Sequence, residues 1–142
     1  MPGKRGQQKQ KSLGDEELLQ VIADFLNMGH VENIVAMYKQ EPRYYDWTGI
    51  LLTDERFAVR LGVCVLFEYL VEERPDDVCL AIPSLVHHLQ HEQSWVRGEA
   101  VTVLGIISTR EALAHVKNML ADPDDQVVEV ARDILRQAGE DG

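Results

Sequence analysis

The amino-acid sequence predicts an all-α protein in which about four helical hairpins stack into a solenoid. Two segments repeat each other 31 residues apart, and the apolar residues within each copy follow the spacing of an amphipathic helix. Nowhere do apolar and polar residues alternate strictly beside turn dipeptides, which is the pattern typical of a strand. Hairpins of this kind bury their apolar faces only against one another, so stacking creates the core.

The 31-residue register runs through two successive helices of each copy. It places Leu89 on Leu120 in the first helix and Leu104 on Leu135 in the second. The other matched pairs keep the character and the phase of the apolar side chain: Ala81 with Ala112, Leu85 with Val116, Val96 with Val127, and Ala100 with Ala131. The sequence therefore predicts two antiparallel hairpins in the C-terminal half.

Residues at the turns indicate where these helices begin and end. Ser94 is the predicted N-cap of the second helix, which follows the turn 91–93. Pro123 discourages continuation of the helix before it, and the neighbouring aspartates suit the N-terminus of the next helix. Gly29 is a natural residue to close the first helix of the chain.

The first half of the chain repeats the hairpin theme with looser spacing. Val59 precedes Val96 by 37 residues, and a longer helix over about 54–73, with the loop that follows it, accounts for the extra length. A short helical segment from Tyr44 to Leu52 is predicted to pair with this helix. Two further apolar stripes, from Leu18 to Leu26 and from Val31 to Tyr38, predict a first and least regular hairpin.

Charge divides the chain into a basic arm and an acidic folded part. Residues 1–14 hold Lys4, Arg5, Lys9 and Lys11 with no acid and almost no apolar side chain, which predicts a disordered arm. Residues 15–138 form the predicted helical repeat domain, and residues 139–142 a flexible C-terminus. Beyond the arm, 10 basic residues face 24 acidic ones. This balance argues against nucleic acid or an anionic membrane as partners and favours a protein with a neutral or basic surface.

Composition also predicts a cytoplasmic protein. The chain has 142 residues, the length of one domain, and no apolar run approaches the roughly 20 residues of a membrane-spanning helix. No apolar run follows the basic start as a signal peptide requires. Its two cysteines, Cys64 and Cys79, lie among apolar neighbours without a metal-ligand spacing, and buried reduced thiols are expected.

The segments 94–100 and 122–127, with Leu104 and Gly105 after the first of them, carry a family resemblance. They resemble the HEAT repeats of the phycobilisome-lyase-like class, whose second helix opens on Asp-Pro-x-x-Val-Arg. The resemblance covers about residues 78–138 well and 54–74 less closely. It implies a right-handed α-α superhelix.

The same resemblance implies a ladder of arginines that bind acids in neighbouring loops. Arg60 and Arg97 hold the ladder position, each after a valine. In the last copy Val128 stands there, and Arg132 lies one turn later. The ladder is therefore expected to be broken at the C-terminal end, as suits a terminal repeat.

No pattern of catalytic or cofactor-binding residues stands out. The sequence has no Gly-x-Ser-x-Gly elbow and no glycine-rich phosphate loop. In the cluster of His87, His88 and His91, the first and last are four residues apart and could face one ion. A metal site needs at least three converging protein ligands and no third is evident, so a polar helix face is favoured. HEAT-like di-iron hydroxylases need a histidine where this chain has Gly98, which argues against that enzyme. We therefore expect no catalytic residues, no metal and no cofactor.

Surface recognition is the function that these patterns favour. In HEAT-like hairpins the second helices line the concave side, which makes five residues partner-binding candidates: Arg60, Trp95, Arg97, Glu99 and Thr102. Tyr44 and Trp47 form a second aromatic group. Structural roles remain open, since both arginines could serve the ladder and the rings could cover the core. The prediction is a non-catalytic protein-interaction module or assembly subunit; the alternative is an accessory factor or lyase that handles a bilin or another tetrapyrrole.

Overall fold

The structure of the chain is a computed structural model, which describes residues 2–140, with side chains from residue 14 onward. The backbone of residues 2–14 is helical, whereas the sequence predicts a disordered arm over 1–14; the flexible end over 139–142 stays a prediction, since residues 141 and 142 are not described. Within the described residues the chain forms eight α-helices and no strand: α1 (Pro2–Asn27), α2 (Val31–Gln40), α3 (Thr48–Leu51), α4 (Phe57–Glu73), α5 (Ile82–His88), α6 (Ser94–Ile107), α7 (Arg110–Asn118) and α8 (Asp125–Gln137). The predicted all-α repeat fold is confirmed.

The helices pair into four hairpins that stack along the chain. Helices α1, α4, α6 and α8 pack side by side in that order. The partner helices pack on this row, with α2 on α4 and with α5 and α7 both on α6. The first hairpin is irregular because its first helix, α1, joins the row, whereas the other hairpins contribute their second helix.

Buried positions repeat in the three helices α4, α6 and α8, as the register predicts. Each helix buries three side chains one turn apart, and all are at most 2% exposed: Val59, Val63 and Phe67 in α4; Val96, Ala100 and Leu104 in α6; Val127, Ala131 and Leu135 in α8. The small residues let neighbouring helices approach closely. A Cβ at Gly105 would lie 2.6 Å from Cδ1 of Ile134, so α6 and α8 need this glycine at their contact.

The helix ends agree with the sequence in part. The Asp124 carboxylate caps α8 by accepting hydrogen bonds from the backbone N–H groups of Gln126 and Val127, and Gly29 closes α1 with a φ of +84°. The predicted cap at Ser94 is wrong. Gln93 is the extended N-cap residue, and its carbonyl rather than a side chain accepts the first N–H bonds.

Two segments of the second hairpin differ from their predicted form. Helix α4 begins at Phe57, not at 54, because the Asp54 carboxylate accepts a hydrogen bond from the Arg56 backbone N–H and holds a turn there. The segment before it forms a 3-10 turn over Pro42–Trp47 and only then the short α3. Shorter 3-10 turns also occur over Val78–Ala81 and Met119–Ala121.

The two cysteines differ in exposure. Cys64 is partly buried in α4, but Cys79 is exposed, so the expectation of two buried thiols is wrong for Cys79. Its thiol lies in the 3-10 turn before α5, 3.6 Å from the Asp76 carbonyl oxygen. None of the helices in the described part of the chain is long and apolar enough to cross a membrane.

Candidate functional site

A concave depression of about 220 Å³ lies where α4, α6 and α8 meet. Four of the predicted partner-binding residues line it: Arg60, Trp95, Glu99 and Thr102. The remaining lining residues are Phe57, Ser94, Gly98, Asp124, Gln126, Val127 and Val130. The site is thus built from the second helices of three successive hairpins.

Helix α6 supplies one wall because its candidates share one face. Trp95, Glu99 and Thr102 are spaced i, i+4 and i+7, which places them above one another along the helix. The Thr102 hydroxyl donates to the Gly98 carbonyl at 2.9 Å, a hydrogen bond within the helix, and Thr102 lines the cavity. Trp95 remains 38% exposed at the mouth of the cavity.

Arg60, on helix α4, contacts both the segment before α4 and the residues of α6 that line the cavity. Its Nη1 donates to the carbonyl oxygens of Asp54 at 2.9 Å and Glu55 at 3.0 Å, and its Nε donates to Glu99 at 3.1 Å. The guanidinium carbon lies 4.5 Å from the ring centroid of Trp95 and 5.5 Å from that of Phe57. A cation over an aromatic face attracts the ring quadrupole, so Arg60 holds both rings in place while leaving them accessible.

Arg97 occupies the equivalent position in α6 but lies outside the cavity. Its Nη1 donates to the carbonyl oxygens of His91 and Glu92, which repeats the anchorage of Arg60. Its Nε and Nη2 bind both carboxylate oxygens of Asp122, at 2.8 and 3.1 Å. The side chains of Arg97 and Asp122 are only 13% and 4% exposed, so this pair joins two hairpins rather than facing a partner.

The pairing with Arg97 affects the pKa of the Asp122 carboxyl group. Burial alone would raise the pKa of its carboxyl group, but hydrogen bonds from the Arg97 side chain and the Asp124 backbone outweigh burial and lower it. Arg97 therefore meets the loop acid that the resemblance implies. For Arg60 that expectation is wrong, because its acid, Glu99, lies on helix α6 and not in a loop.

Tyr44 and Trp47 lie in the second hairpin, apart from the cavity. Tyr44 is only 7% exposed, and Trp47 is partly buried against the core. The Arg43 guanidinium carbon lies 5.1 Å from the centroid of the Tyr44 ring and 5.2 Å from that of the Trp47 ring. Both rings pack with the hydrophobic core, and neither lines the cavity between α4, α6 and α8.

Several lining residues were not among the predicted candidates. Phe57 and Val130 supply apolar wall on the flanks of α6. Val130 falls 31 residues after Glu99, so the repeat register itself would have pointed to it. Gly98 leaves room at the centre: a Cβ there would meet nothing closer than Cγ2 of Val127 at 3.9 Å.

Two of the three histidines in the cluster, His88 and His91, form local hydrogen bonds. Nδ1 of His88 lies 2.8 Å from the Ser84 carbonyl, and Nδ1 of His91 accepts from the Gln93 backbone N–H. Among the described residues, no group of three or more His, Cys, Asp and Glu side chains could hold a metal ion. The Cys64 thiol is a poor nucleophile here, since burial and then the nearby Glu99 and Glu68 charges raise its pKa to about 12.

Stacked helical hairpins with a repeated pattern of buried positions define an α-helical repeat protein. A family model described as HEAT repeats matches residues 46–136, well over half of the chain. The chain belongs to the HEAT-repeat family. Neither the curated proteins nor the solved structures compared with it gave a significant match.

Proposed function

We propose that this chain is a non-catalytic protein-interaction module, or a subunit of an assembly, that binds its partner at the cavity between α4, α6 and α8. The observation that carries this proposal is Trp95. Its ring is 38% exposed beside the cavity, and the Arg60 guanidinium carbon lies 4.5 Å from the ring centroid, a contact that restrains the ring before binding. A large amphipathic ring fixed before binding contributes contact area at little entropic cost, which is why such rings recur as interface hot spots.

The partner that we propose is a protein with a neutral or basic surface. Arg60, the one cation that lines the cavity among the described side chains, is already paired with Glu99, and Asp124 adds a further carboxylate. The 24 acidic residues against 14 basic ones in the whole chain support the same choice. The two free thiols support the cytoplasm, a reducing compartment, as the location that we propose.

Within the HEAT repeats, the phycobilisome-lyase-like class is the subclass that we propose. The repeated sequence supports it, because the positions that this class keeps as valine and alanine are the buried ones in α6 and α8. Tetrapyrrole handling does not follow from such a likeness, since one repeat fold hosts many functions. No observation on the described residues favours the bilin alternative, and we do not propose it.

The test is capture of a partner by the tagged full-length chain, followed by mass-spectrometric identification. Gly98→Leu is the sharpest variant, because a leucine fills the cavity while its Cβ meets no close neighbour. It also replaces the residue that is poor in helices, so the stability of α6 is not expected to fall. We expect Gly98→Leu and Trp95→Ala each to reduce capture of the same identified protein at least tenfold.

Leu80→Ala is the matched control, because Leu80 is exposed to a similar extent (43%) but does not line the cavity. It should capture the partner as the wild type does. Arg97→Glu is unsuitable as a surface variant, since it would place a carboxylate against the buried Asp122. Undiminished capture by both cavity variants, or no protein captured at all, would contradict the proposed function.

A further inference from the structure

Helix α4 carries an apolar ridge that is largely exposed. Phe57, Leu61, Val65 and Tyr69 follow one another at four-residue intervals. Phe57 is 63% exposed, Leu61 50% and Tyr69 45%, and Val65 is partly buried. At the helical rise of 1.5 Å per residue the ridge extends over about 18 Å. The opposite side of the same helix is buried in the core, so α4 carries apolar side chains on two faces.

Depressions adjoin the ridge at both ends. Phe57 lines the cavity beneath Trp95. Val65 and Tyr69 line a second depression of about 340 Å³, whose other wall is the turn from Gly29 to Asn33 at the start of α2. A ridge between two hollows, rather than a flat patch, is the surface shape that interdigitates with another helix.

The charges beside the ridge are predominantly negative. The cations Arg56, Arg60 and Lys39 near it are already paired with carboxylates, Arg56 with Asp24 and Asp54, Arg60 with Glu99, and Lys39 with Glu73. Glu68 and Glu72 lie on the solvent side of α4, and no basic group is paired with them among the side chains that the structure describes.

Glu32 adds a further carboxylate at the far end of the ridge. It is exposed in the first turn of α2 and lines the depression shared with Tyr69. No basic side chain within the described range is paired with it. The apolar ridge is thus bordered by acids along its length, a pattern complementary to an apolar stripe edged with lysine or arginine.

We propose that the α4 ridge is the docking site of an amphipathic helix with basic flanks, supplied by the partner protein. This inference rests on the proposed function and specifies the class of partner segment. Side chains at four-residue intervals form the ridge that packs into the grooves of a second helix, the commonest class of helix pair. An extended segment cannot bind here by strand addition, since the described residues include no strand edge.

The test is a selection from a displayed library of random 16-residue helix-forming peptides on the immobilised full-length chain. We expect the enriched peptides to share apolar residues at i, i+3 or i+4, and i+7, and to carry a net positive charge. A synthetic peptide of the enriched sequence, labelled with a fluorophore, then provides affinities by anisotropy. Leu61→Ser should weaken its binding at least tenfold, because Leu61 lies at the middle of the ridge.

Ile50→Ser is the matched control, because Ile50 is 46% exposed on α3 and does not belong to the ridge. It should change the affinity less than twofold. Reversing charge with Glu68→Lys and Glu72→Lys together should weaken the basic peptide about tenfold and improve binding of its acidic counterpart. Circular dichroism before and after melting shows that each variant keeps its fold.

Several results would overturn the inference. These are a selection that enriches nothing, enriched peptides that are acidic or lack a helical apolar period, and equal binding by Leu61→Ser. A dimer of the chain that dissociates on Leu61→Ser would also overturn it, since a second copy would then cover the ridge. If any of these occurs while capture still depends on Trp95, the proposed function stands and only the basic helix is wrong.

Discussion

Arg60 and Arg97 occupy equivalent positions in successive hairpins, and the structure uses them differently. Both anchor Nη1 to the two carbonyl oxygens that lie five and six residues upstream. Arg97 then binds a buried carboxylate, Asp122, in the loop of the next hairpin. Arg60 instead binds Glu99 on a helix and lies against two accessible aromatic rings.

The difference originates in the loop that each arginine faces. The residue 31 positions before Asp122 is His91, so the loop after α5 offers Arg60 no carboxylate at the matching position. The Arg60 guanidinium is therefore paired with Glu99 of α6, beside the cavity. One repeated motif thus joins two hairpins at Arg97 and arranges a surface at Arg60.

The largest effect that we expect is on stability, from Arg97→Ala. Removing one partner of a largely buried ion pair leaves the other charge uncompensated, which should lower the free energy of unfolding by about 3 kcal/mol. Arg60→Ala should cost only about 1 to 2 kcal/mol, because Glu99 is more exposed and can be hydrated. Urea unfolding followed by circular dichroism measures both. Equal losses would remove the distinction between the two sites.

Asp122→Asn sharpens the comparison through its pH dependence. At pH 7 it should lower the free energy of unfolding by about 2 kcal/mol, because charge-assisted hydrogen bonds to Arg97 weaken. The folded pKa of Asp122 lies below its usual value of 3.8. The ionised carboxylate therefore stabilises the fold fully above about pH 4, and this contribution is lost as the pH falls through the folded pKa.

The stability difference between the wild type and Asp122→Asn should accordingly shrink below about pH 4. Urea titrations at pH 7, 5 and 3 measure it. Asp133→Asn is the control, because Asp133 forms an exposed pair with Arg136 and its loss should change stability by less than about 0.5 kcal/mol. A difference for Asp122→Asn that is constant down to pH 3 would contradict the pairing.

A double-mutant cycle tests the contact that distinguishes Arg60. Arg60→Ala, Trp95→Ala and the double variant should reveal a coupling of about 0.5 to 1 kcal/mol, the size typical of a partly exposed cation–π contact. The same cycle on Arg97 and Trp95 is the control and should show little coupling. Additive losses for Arg60 and Trp95 would mean that Arg60 does not hold the ring.

The smallest effect is expected from Val128→Arg, which restores the arginine in the last hairpin. An arginine there can reach the carbonyl oxygens of residues 122 and 123, by analogy with its two equivalents, but the described residues hold no further loop acid for it. We therefore expect the free energy of unfolding to change by no more than about 0.5 kcal/mol. A gain above 1 kcal/mol would show that carbonyl anchorage alone provides most of the benefit.

The sequence by itself determined the helices and their stacking, because burial imposes a period on the chain. Val96, Ala100 and Leu104 repeat 31 residues later, and the repeat is visible because the same positions face the core in each hairpin. The repeat pattern placed Trp95, Glu99 and Thr102 on one second helix and, by its looser 37-residue step, Arg60 on another; the structure brings all four to one cavity. The spacing of buried residues follows from local helix geometry, so it can be recognised by counting residues along the chain.

Only the tertiary structure decided how each of those side chains is used. That Arg97 is buried against Asp122 while Arg60 lies under Trp95 depends on which loop or helix approaches each guanidinium. Tyr44 and Trp47 were candidates in the sequence as Trp95 was, yet one pair of rings packs inward and the other ring faces solvent. The sequence did not predict the exposed ridge on α4, because the residues of the ridge are apolar like those of the core. Whether an apolar side chain is covered depends on distant segments, and the spacing along the chain does not contain that information.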